Sequence, residues 1–190
     1  MTAAPLDKTK ILVVEDDPRM RSFLRAVLSI STDGAMEYAE AGNGEEALKL
    51  ISAFKPDVII SDWIMSPLDG LDLLKRLRKG IEGVSPFTPF IMVTSRTDGP
   101  WQVEARDAGV TKYLEKPVSV TDLHQGIKDA VENFKPFVQS RDYFGPDRRG
   151  NEKTYSGKDR RTLPPVYVSP EENEEAAPSK SRRKIFDRAS

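Results

Sequence analysis

Apolar residues alternate between two patterns along the chain up to about residue 134. Short runs rich in Val and Ile, as at 10–14 and 58–61, are typical of buried strands. The stretches between such runs place apolar residues three and four positions apart, which predicts amphipathic helices. The predicted strands are 10–14, 35–41, 58–61, 89–94 and 112–115. The predicted helices begin at Pro18, after Asn43-Gly44, near Leu71, at Pro100 and just before Leu123.

Five strand–helix units in succession define the expected architecture. Such alternation implies a parallel sheet with helices on both faces and right-handed connections. We therefore predict an α/β fold of the flavodoxin-like, doubly wound form, with a five-stranded parallel sheet. A largely irregular tail is expected to follow it.

Acidic residues follow the first and third predicted strands. Glu15-Asp16-Asp17 ends the first, and Asp62 ends the third. Asp17 precedes Pro18 and is interpreted as a helix N-cap, which leaves Glu15 and Asp16 for chemistry. Because ligands of doubly wound sheets bind at the carboxyl ends of the strands, Asp62 is a candidate functional residue. The alternative is that Asp62 only caps the turn that follows it.

The remaining strand ends add a hydroxyl and an ammonium to the same edge. Thr94-Ser95 ends the fourth strand, and Lys116-Pro117 follows the fifth. Three close carboxylates would repel one another, and a hard divalent cation with oxygen ligands would relieve that repulsion. A metal ion, a lysine and a hydroxyl together suit the oxygens of a phosphoryl group.

The segments V-V-E-D-D, S-D-W-I-M, M-V-T-S and Y-L-E-K-P occur in this order between residues 13 and 117. In order and spacing they resemble the receiver domains of two-component response regulators, the family of the chemotaxis protein CheY. The resemblance covers about residues 10 to 134. It implies a signalling module and not a turnover enzyme, with only phosphorylation and dephosphorylation at one aspartate.

The resemblance also implies a role for each site residue. Asp62 would accept a phosphoryl group from a histidine kinase or phosphotransfer protein, Thr94 and Lys116 would bind that group, and Tyr113 would turn inward as Thr94 moves. Mg²⁺ would be held by Glu15 (through water), Asp16, Asp62 and the backbone carbonyl of Ile64. The Lys116–Pro117 bond is often cis in the family.

Three nearby residues raise separate questions. Ser66 stands where the family usually has proline, so the loop after the third strand is expected to differ in shape. Trp63 directly follows Asp62 and is expected to lie over the mouth of the site. Trp101 is compatible either with the core or with a partner surface.

Composition excludes several other classes of protein. The chain has 190 residues, no cysteine and one histidine, so disulfides, thiol chemistry and histidine-based metal sites or triads are not expected. No run of about 18 apolar residues occurs, and the first residues lack the apolar segment of a secretion signal. We expect a cytoplasmic protein without a membrane span.

The chain from Lys135 onward differs from the rest in charge and pattern. It carries 13 Lys and Arg against 9 Asp and Glu, a net charge of +4, whereas the part before it has a net charge of −5. Its proline-rich, highly charged composition predicts low order. We therefore divide the chain into an extension at 1–8, a receiver at 9–134 and a tail at 135–190. No helix-turn-helix pattern follows the receiver, so a DNA-binding output domain is not expected.

The tail contains an internal repeat. The motif Y-x-G-x-D-R-R occurs at 143–149 and again at 155–161. Paired arginines can form bidentate hydrogen bonds with guanine edges and with phosphates, and an aspartate can accept a hydrogen bond from guanine. The repeat resembles, more weakly, the arginine-rich tails of CheY-like cyclic di-GMP effectors. In that hypothesis the ligand-binding residues are Asp147, Arg148, Arg149, Asp159, Arg160 and Arg161.

The alternative is that each repeat is a docking motif, with tyrosine as its anchor and Arg–Asp pairs on its surface. Non-specific RNA binding is less favoured, because acidic residues dilute the charge of the tail.

Overall fold

The structure is a computed structural model that describes residues 9–30, 37–133, 135–148 and 166–169. The first five strands are β1 (Lys10–Val14), β2 (Glu37–Ala41), β3 (Val58–Ser61), β4 (Phe90–Thr94) and β5 (Lys112–Glu115). The helices are α1 (Pro18–Ile30), α2 (Gly44–Phe54), α3 (Gly70–Lys79), α4 (Gly99–Asp107) and α5 (Val120–Glu132). Three short strands follow, β6 (Phe137–Gln139), β7 (Phe144–Pro146) and β8 (Val166–Val168).

Strands β1 to β5 form one sheet in the order β2-β1-β3-β4-β5, and every pairing in it is parallel. The chain moves from β1 outward to β2 and then crosses to β3 on the other side of β1. This reversal makes the carboxyl ends of β1 and β3 the switch point of the topology. The predicted flavodoxin-like fold is confirmed.

Alternate residues of the strands serve two separate cores. Leu12 and Val14 of β1 face one core, and Ile11 and Val13 face the other. The first core is closed by helices α2, α3 and α4, and the second by α1 and α5. Both faces of the sheet are therefore buried at its centre, which explains why β1, β3 and β4 are apolar without alternation.

Side-chain caps set the start of several helices. Asp17 accepts a hydrogen bond from the backbone N of Arg19 at 2.8 Å, which confirms its interpretation as a cap. Asp69 accepts from the N of Asp72 at 2.7 Å and so begins α3 directly behind the loop that carries Asp62. Such caps satisfy helix N–H groups that have no partner within the helix.

The tail includes three strands that the sequence analysis did not predict. Strand β6 pairs antiparallel with β7 on one side and with β8 on the other. The sheet packs on the receiver through Phe87, Phe137 and Phe144, whose ring centroids lie 4.9 to 5.4 Å apart. Strands of three residues are too short to give a readable alternation, so only the tertiary contact reveals them.

The guanidinium of Arg78, at the end of α3, joins several segments near this contact. It donates to the carbonyl oxygens of Gly109, Pro86 and Thr88 at 2.9, 2.7 and 2.8 Å. It also lies 5.2 Å from the ring centroid of Phe137. Arg78 thus ties α3 to the segments that precede β4 and β5 and to the tail.

Two glycines allow the close approach of the tail. Gly109 has a positive φ of 90°, a conformation that other residues rarely adopt. A Cβ added to Gly145 would lie 2.7 Å from the Cα of Gly109, so the two backbones touch only because both residues lack side chains.

Candidate functional site

The three acids predicted from the strand ends lie together in the structure. Glu15, Asp16 and Asp62 each offer a carboxylate oxygen, and these atoms all lie within 4.8 Å of one another. Glu15 is buried, with 1% of its surface exposed, whereas Asp16 is exposed. The arrangement follows from the parallel register, because Val14 of β1 lies opposite Ser61 of β3.

Lys116 connects two of these acids. Its Nζ donates to Oδ2 of Asp62 at 2.8 Å and to Oε2 of Glu15 at 2.8 Å. The Lys116–Pro117 peptide bond is cis, as the resemblance implies. One ammonium therefore bridges the acids that end β1 and β3.

This environment changes the proton affinity of both Glu15 and Lys116. Burial raises the pKa of Glu15, and the hydrogen bond from Lys116 only partly opposes that effect. Burial alone would lower the pKa of Lys116, but its hydrogen bonds to Asp62 and Glu15 outweigh burial and raise it. Lys116 is therefore held in its charged form, the form that can neutralise an added anion.

The backbone after β3 holds the carboxylate of Asp62 in place. Its Oδ1 accepts from the backbone N of Trp63 at 2.5 Å and, more weakly, from that of Ile64 at 3.4 Å. Gly70 packs against this turn, and a Cβ there would lie 1.9 Å from the carbonyl oxygen of Asp62. Its other carboxylate oxygen, Oδ2, faces Lys116.

Thr94 and Tyr113 lie on the neighbouring strands. Thr94 is fully buried at the end of β4, and its Oγ1 accepts from the backbone N of Arg96 at 3.3 Å. The hydroxyl of Tyr113 donates to the carbonyl oxygen of Arg96. Burial raises the pKa of Tyr113, as do the nearby charges of Glu115 and Asp98, so the hydroxyl stays a donor.

The two tryptophans lie on the core side of the site. Trp63 is only 2% exposed, and its ring packs edge-on against Trp101 with centroids 5.6 Å apart. The prediction that Trp63 lies over the mouth of the site is therefore wrong. Its ring turns into the core beneath α4, and Trp101 is the half-buried residue that covers it.

The acid cluster has the composition of a magnesium site. Its oxygen donors are the ligand type that Mg²⁺ prefers, and one of them is exposed to solvent. The residues present thus fit the predicted cation. The backbone carbonyl of Ile64 remains a predicted ligand.

Two of the predicted tail residues fall within the described part of the chain. Arg148 is paired with Asp107 of α4, and its guanidinium lies 3.7 Å from the ring centroid of Tyr143. Asp147 accepts from the hydroxyl of Tyr167 at 3.2 Å. In the first repeat, the arginine therefore binds the chain's own receiver. Arg149, Asp159, Arg160 and Arg161 lie outside the described residues.

Comparison with known proteins identifies the family. The profile described as the response regulator receiver domain matches residues 11–128. The chain therefore belongs to the response regulator receiver family, as the resemblance predicted. Receiver domains are phosphoryl-accepting signalling modules of two-component systems, and they typically bind Mg²⁺ at an acidic pocket.

Curated relatives share the receiver but are longer proteins. The transcriptional regulatory protein GlrR of Escherichia coli K12 is 34% identical over 131 residues, which is 69% of this chain and 28% of that protein. The transcriptional regulatory protein PdtaR of Mycobacterium tuberculosis H37Rv is 32% identical over 126 residues, which is 66% of this chain and 58% of that protein. The chain thus spans less than two thirds of the length of these relatives.

Solved structures agree with this assignment. The chemotaxis response regulator CheY4 of Vibrio cholerae is 29% identical, with a TM-score of 0.58, and the match covers 65% of this chain and 98% of that one. The receiver domain of the Francisella response regulator 1452 is 32% identical, with a TM-score of 0.56, covering 65% and 96%. In the described part of the chain, no helix is both long and apolar enough to cross a membrane.

Proposed function

We propose that Asp62 accepts a phosphoryl group from a histidine kinase or a phosphotransfer protein. The observation that carries the proposal is the position of Asp62 Oδ2, which lies 2.8 Å from the Nζ of Lys116 inside a cluster of three carboxylates. The cluster supplies metal ligands, and the lysine supplies a fixed positive charge. These are the groups that phosphoryl transfer requires from a protein.

In the transfer, a carboxylate oxygen of Asp62 attacks the phosphorus of a phosphohistidine. The new P–O bond forms as the P–N bond breaks, and the imidazole leaves with the electron pair and takes up a proton. The backbone hydrogen bond from Trp63 to Oδ1 orients the carboxylate, which lowers the entropic cost of the attack.

The other groups of the site stabilise the incoming charge. Bound Mg²⁺ would neutralise phosphoryl oxygens, and Asp16, Asp62, the Ile64 carbonyl and a water on Glu15 would hold it. Lys116 would pair with another phosphoryl oxygen, and Thr94 would donate a hydrogen bond to it. Lys116 would then exchange a carboxylate partner for the phosphoryl group without leaving its place.

The output of the switch, in this proposal, is a protein-interaction surface on the α4 to α5 side of the receiver. Tyr113 of β5 lies on this side and contacts the loop that follows Thr94. A movement of Thr94 toward Asp62 would therefore reach the surface through Tyr113. The partner protein would bind one position of Tyr113 better than the other.

The test is phosphorylation of the full chain by acetyl phosphate in Mg²⁺. We expect the wild type to gain the mass of one phosphoryl group and Asp62→Asn to gain none. Asp17→Asn is the matched control, because it changes an exposed acid at the same edge and keeps the helix cap. Phosphorylation of Asp62→Asn to the wild-type extent would contradict the proposal.

The cyclic di-GMP hypothesis stays a prediction. Arg148 already has Asp107 and Tyr143 as partners, so a nucleotide would have to compete with both. Titration calorimetry of the full chain with cyclic di-GMP tests this hypothesis. The double variant Arg148→Lys/Arg149→Lys should bind cyclic di-GMP at least about tenfold more weakly than the wild type, a loss near 1.4 kcal/mol in binding free energy. The control is the double variant Arg182→Lys/Arg183→Lys, which should bind cyclic di-GMP as the wild type does. If the wild type does not bind cyclic di-GMP, the hypothesis is contradicted and the interpretation of the repeats as docking motifs is favoured.

A further inference from the structure

Arg21, near the start of α1, contacts the backbone that carries two of the three acids of the cluster. Its terminal nitrogen Nη1 donates to the carbonyl oxygen of Glu15 at 2.5 Å and to that of Asp16 at 3.2 Å. The arginine is half-buried and lies within the same segment of the chain, which turns from the end of β1 into α1. One guanidinium therefore holds the backbone of both residues at this turn.

The guanidinium is also held from the side of β2. Its Nε lies 3.9 Å from Oε2 of Glu40, a half-buried residue of β2 that pairs in register with Val13 of β1. A Cβ added to Gly42, in the loop after β2, would lie 3.8 Å from Nη1, so the guanidinium also lies close to that loop. The position of Arg21 is thus set by an element outside α1 and the β1–α1 turn.

The carboxylate of Asp16 depends on this support more than the other two acids do. Glu15 and Asp62 are both held through their carboxylates by Lys116. Asp16 is exposed, and nothing in the part of the chain that the structure describes donates a hydrogen bond to its carboxylate. Its direction is therefore set by its own backbone, which Arg21 holds through the carbonyl oxygen.

We propose that Arg21 is a positioning residue for the binding of Mg²⁺ at the acid cluster. It acts through the backbone of Glu15 and Asp16, and it directs the carboxylate of Asp16 toward the oxygens of Glu15 and Asp62. The inference rests on the proposed function, in which these acids hold the metal ion that serves phosphorylation of Asp62.

The guanidinium acts on a bound cation in two opposite ways. Its positive charge repels Mg²⁺, but water and salt screen the charge of a half-buried side chain at this surface. Its hydrogen bonds fix metal ligands, and groups that orient metal ligands typically contribute about 10- to 100-fold to metal affinity. Positioning therefore outweighs repulsion, and loss of the guanidinium weakens the binding of Mg²⁺.

The test is titration of the full chain with Mg²⁺, followed by tryptophan fluorescence because Trp63 directly follows Asp62. We expect Arg21→Gln to bind Mg²⁺ about tenfold more weakly than the wild type. Arg21→Lys keeps the charge but loses the planar guanidinium, so it should also bind more weakly, by a smaller factor. The control is Arg19→Gln, which removes an exposed positive charge of the same helix and should stay within about twofold of the wild type.

A second measurement separates positioning from a merely structural role. The Mg²⁺ concentration that gives the half-maximal rate of phosphorylation by acetyl phosphate should rise in Arg21→Gln by the same factor as the dissociation constant. A merely structural role would lower the free energy of unfolding without Mg²⁺, measured by urea denaturation, and leave both Mg²⁺ quantities unchanged. That outcome would refute the positioning role.

The remaining outcomes also decide between the alternatives. If charge repulsion dominates, Arg21→Gln binds Mg²⁺ more tightly than the wild type and Arg21→Lys binds it equally, which refutes the positioning role. If the wild type binds Mg²⁺ and is phosphorylated at Asp62 but both Arg21 variants bind Mg²⁺ as it does, the role of Arg21 is refuted and the proposed function stands. If the wild type binds no Mg²⁺, the proposed metal site fails and the inference with it.

Discussion

Two largely buried cations occupy opposite edges of the central sheet, and they have different partners. At the carboxyl edge, Lys116 donates to the carboxylates of Asp62 and Glu15. Near the amino ends of β4 and β5, Arg78 donates to the backbone carbonyls of Gly109, Pro86 and Thr88. Both cations join segments that are distant in sequence.

Burial of a cation therefore does not by itself indicate function. A backbone carbonyl does not ionise, and a single carbonyl does not bind a divalent cation strongly. The contacts of Arg78 therefore serve to hold α3 against the segments that precede β4 and β5. The carboxylates around Lys116 can bind a metal ion, change protonation or attack phosphorus. The chemistry of the partners, and not the depth of the cation, distinguishes the reactive edge from the structural one.

Replacing Arg78 by methionine should have the largest effect on stability. The new side chain fills a similar volume but removes the donor of three hydrogen bonds to backbone carbonyls, and losing the donor to a buried acceptor costs about 1 to 3 kcal/mol. We expect a loss of about 3 kcal/mol or more in the free energy of unfolding, measured by urea denaturation.

Arg76→Met is the matched control for this change, because Arg76 is exposed on the same helix. It should change stability by less than about 0.5 kcal/mol. Under conditions in which it is folded, the Arg78→Met variant should be phosphorylated by acetyl phosphate at nearly the wild-type rate. A stable Arg78→Met protein with impaired phosphorylation would contradict the division between the two edges.

Replacing Lys116 by methionine should affect chemistry more than the fold. The change removes the fixed positive charge beside Asp62 Oδ2, and the loss of one such group typically slows a reaction by about 100-fold or more. We expect phosphorylation by acetyl phosphate to slow by about this factor, measured by the rate of mass gain.

Lys112→Met serves as the control on the same strand, because Lys112 pairs with Asp129 away from the acid cluster. Its phosphorylation rate should stay within about twofold of the wild type, as expected for a charge outside the site. A similar loss of rate in both variants would mean that the general positive charge of β5 matters, and not the position of Lys116.

The smallest expected effect on the free energy of unfolding comes from the Lys112–Asp129 ion pair, in which the Nζ and Oδ2 atoms lie 3.0 Å apart. The hydrogen bond from Lys112, followed by that from Gln125, lowers the pKa of Asp129 below its usual value of 3.8. A depressed carboxyl pKa stabilises the fold above the unfolded-state pKa, and this contribution is lost as the pH falls through the folded-state value.

Asp129→Asn should therefore lower the free energy of unfolding at neutral pH by about 0.5 kcal/mol, since the pair is partly exposed. The difference from the wild type should shrink toward zero well below pH 3.8. Urea denaturation at the two pH values checks this, and an undiminished difference in acid would contradict the electrostatic origin.

The two edges of the sheet also differ in how far their functional side chains can be predicted from the sequence. The acids of the carboxyl edge were predictable because each lies within two residues of the end of an apolar run, and parallel strands bring their ends to one edge. Arg78 gives no such signal, because its position on α3 resembles that of any basic residue near a helix end. The strands of the tail were missed for a similar reason, since each has three residues.

The sequence by itself determined the five strand–helix units, the sheet they form and the edge at which Asp16 and Asp62 meet, because these follow from local periodicity and from the parallel connection rule. Only the tertiary structure decided which side chains share a contact. Glu15 and Asp62, the partners of Lys116, lie 101 and 54 positions from it in the sequence, and Gly109 lies 31 positions from its partner Arg78. Side-chain directions over such separations depend on how the elements pack, which no local pattern encodes.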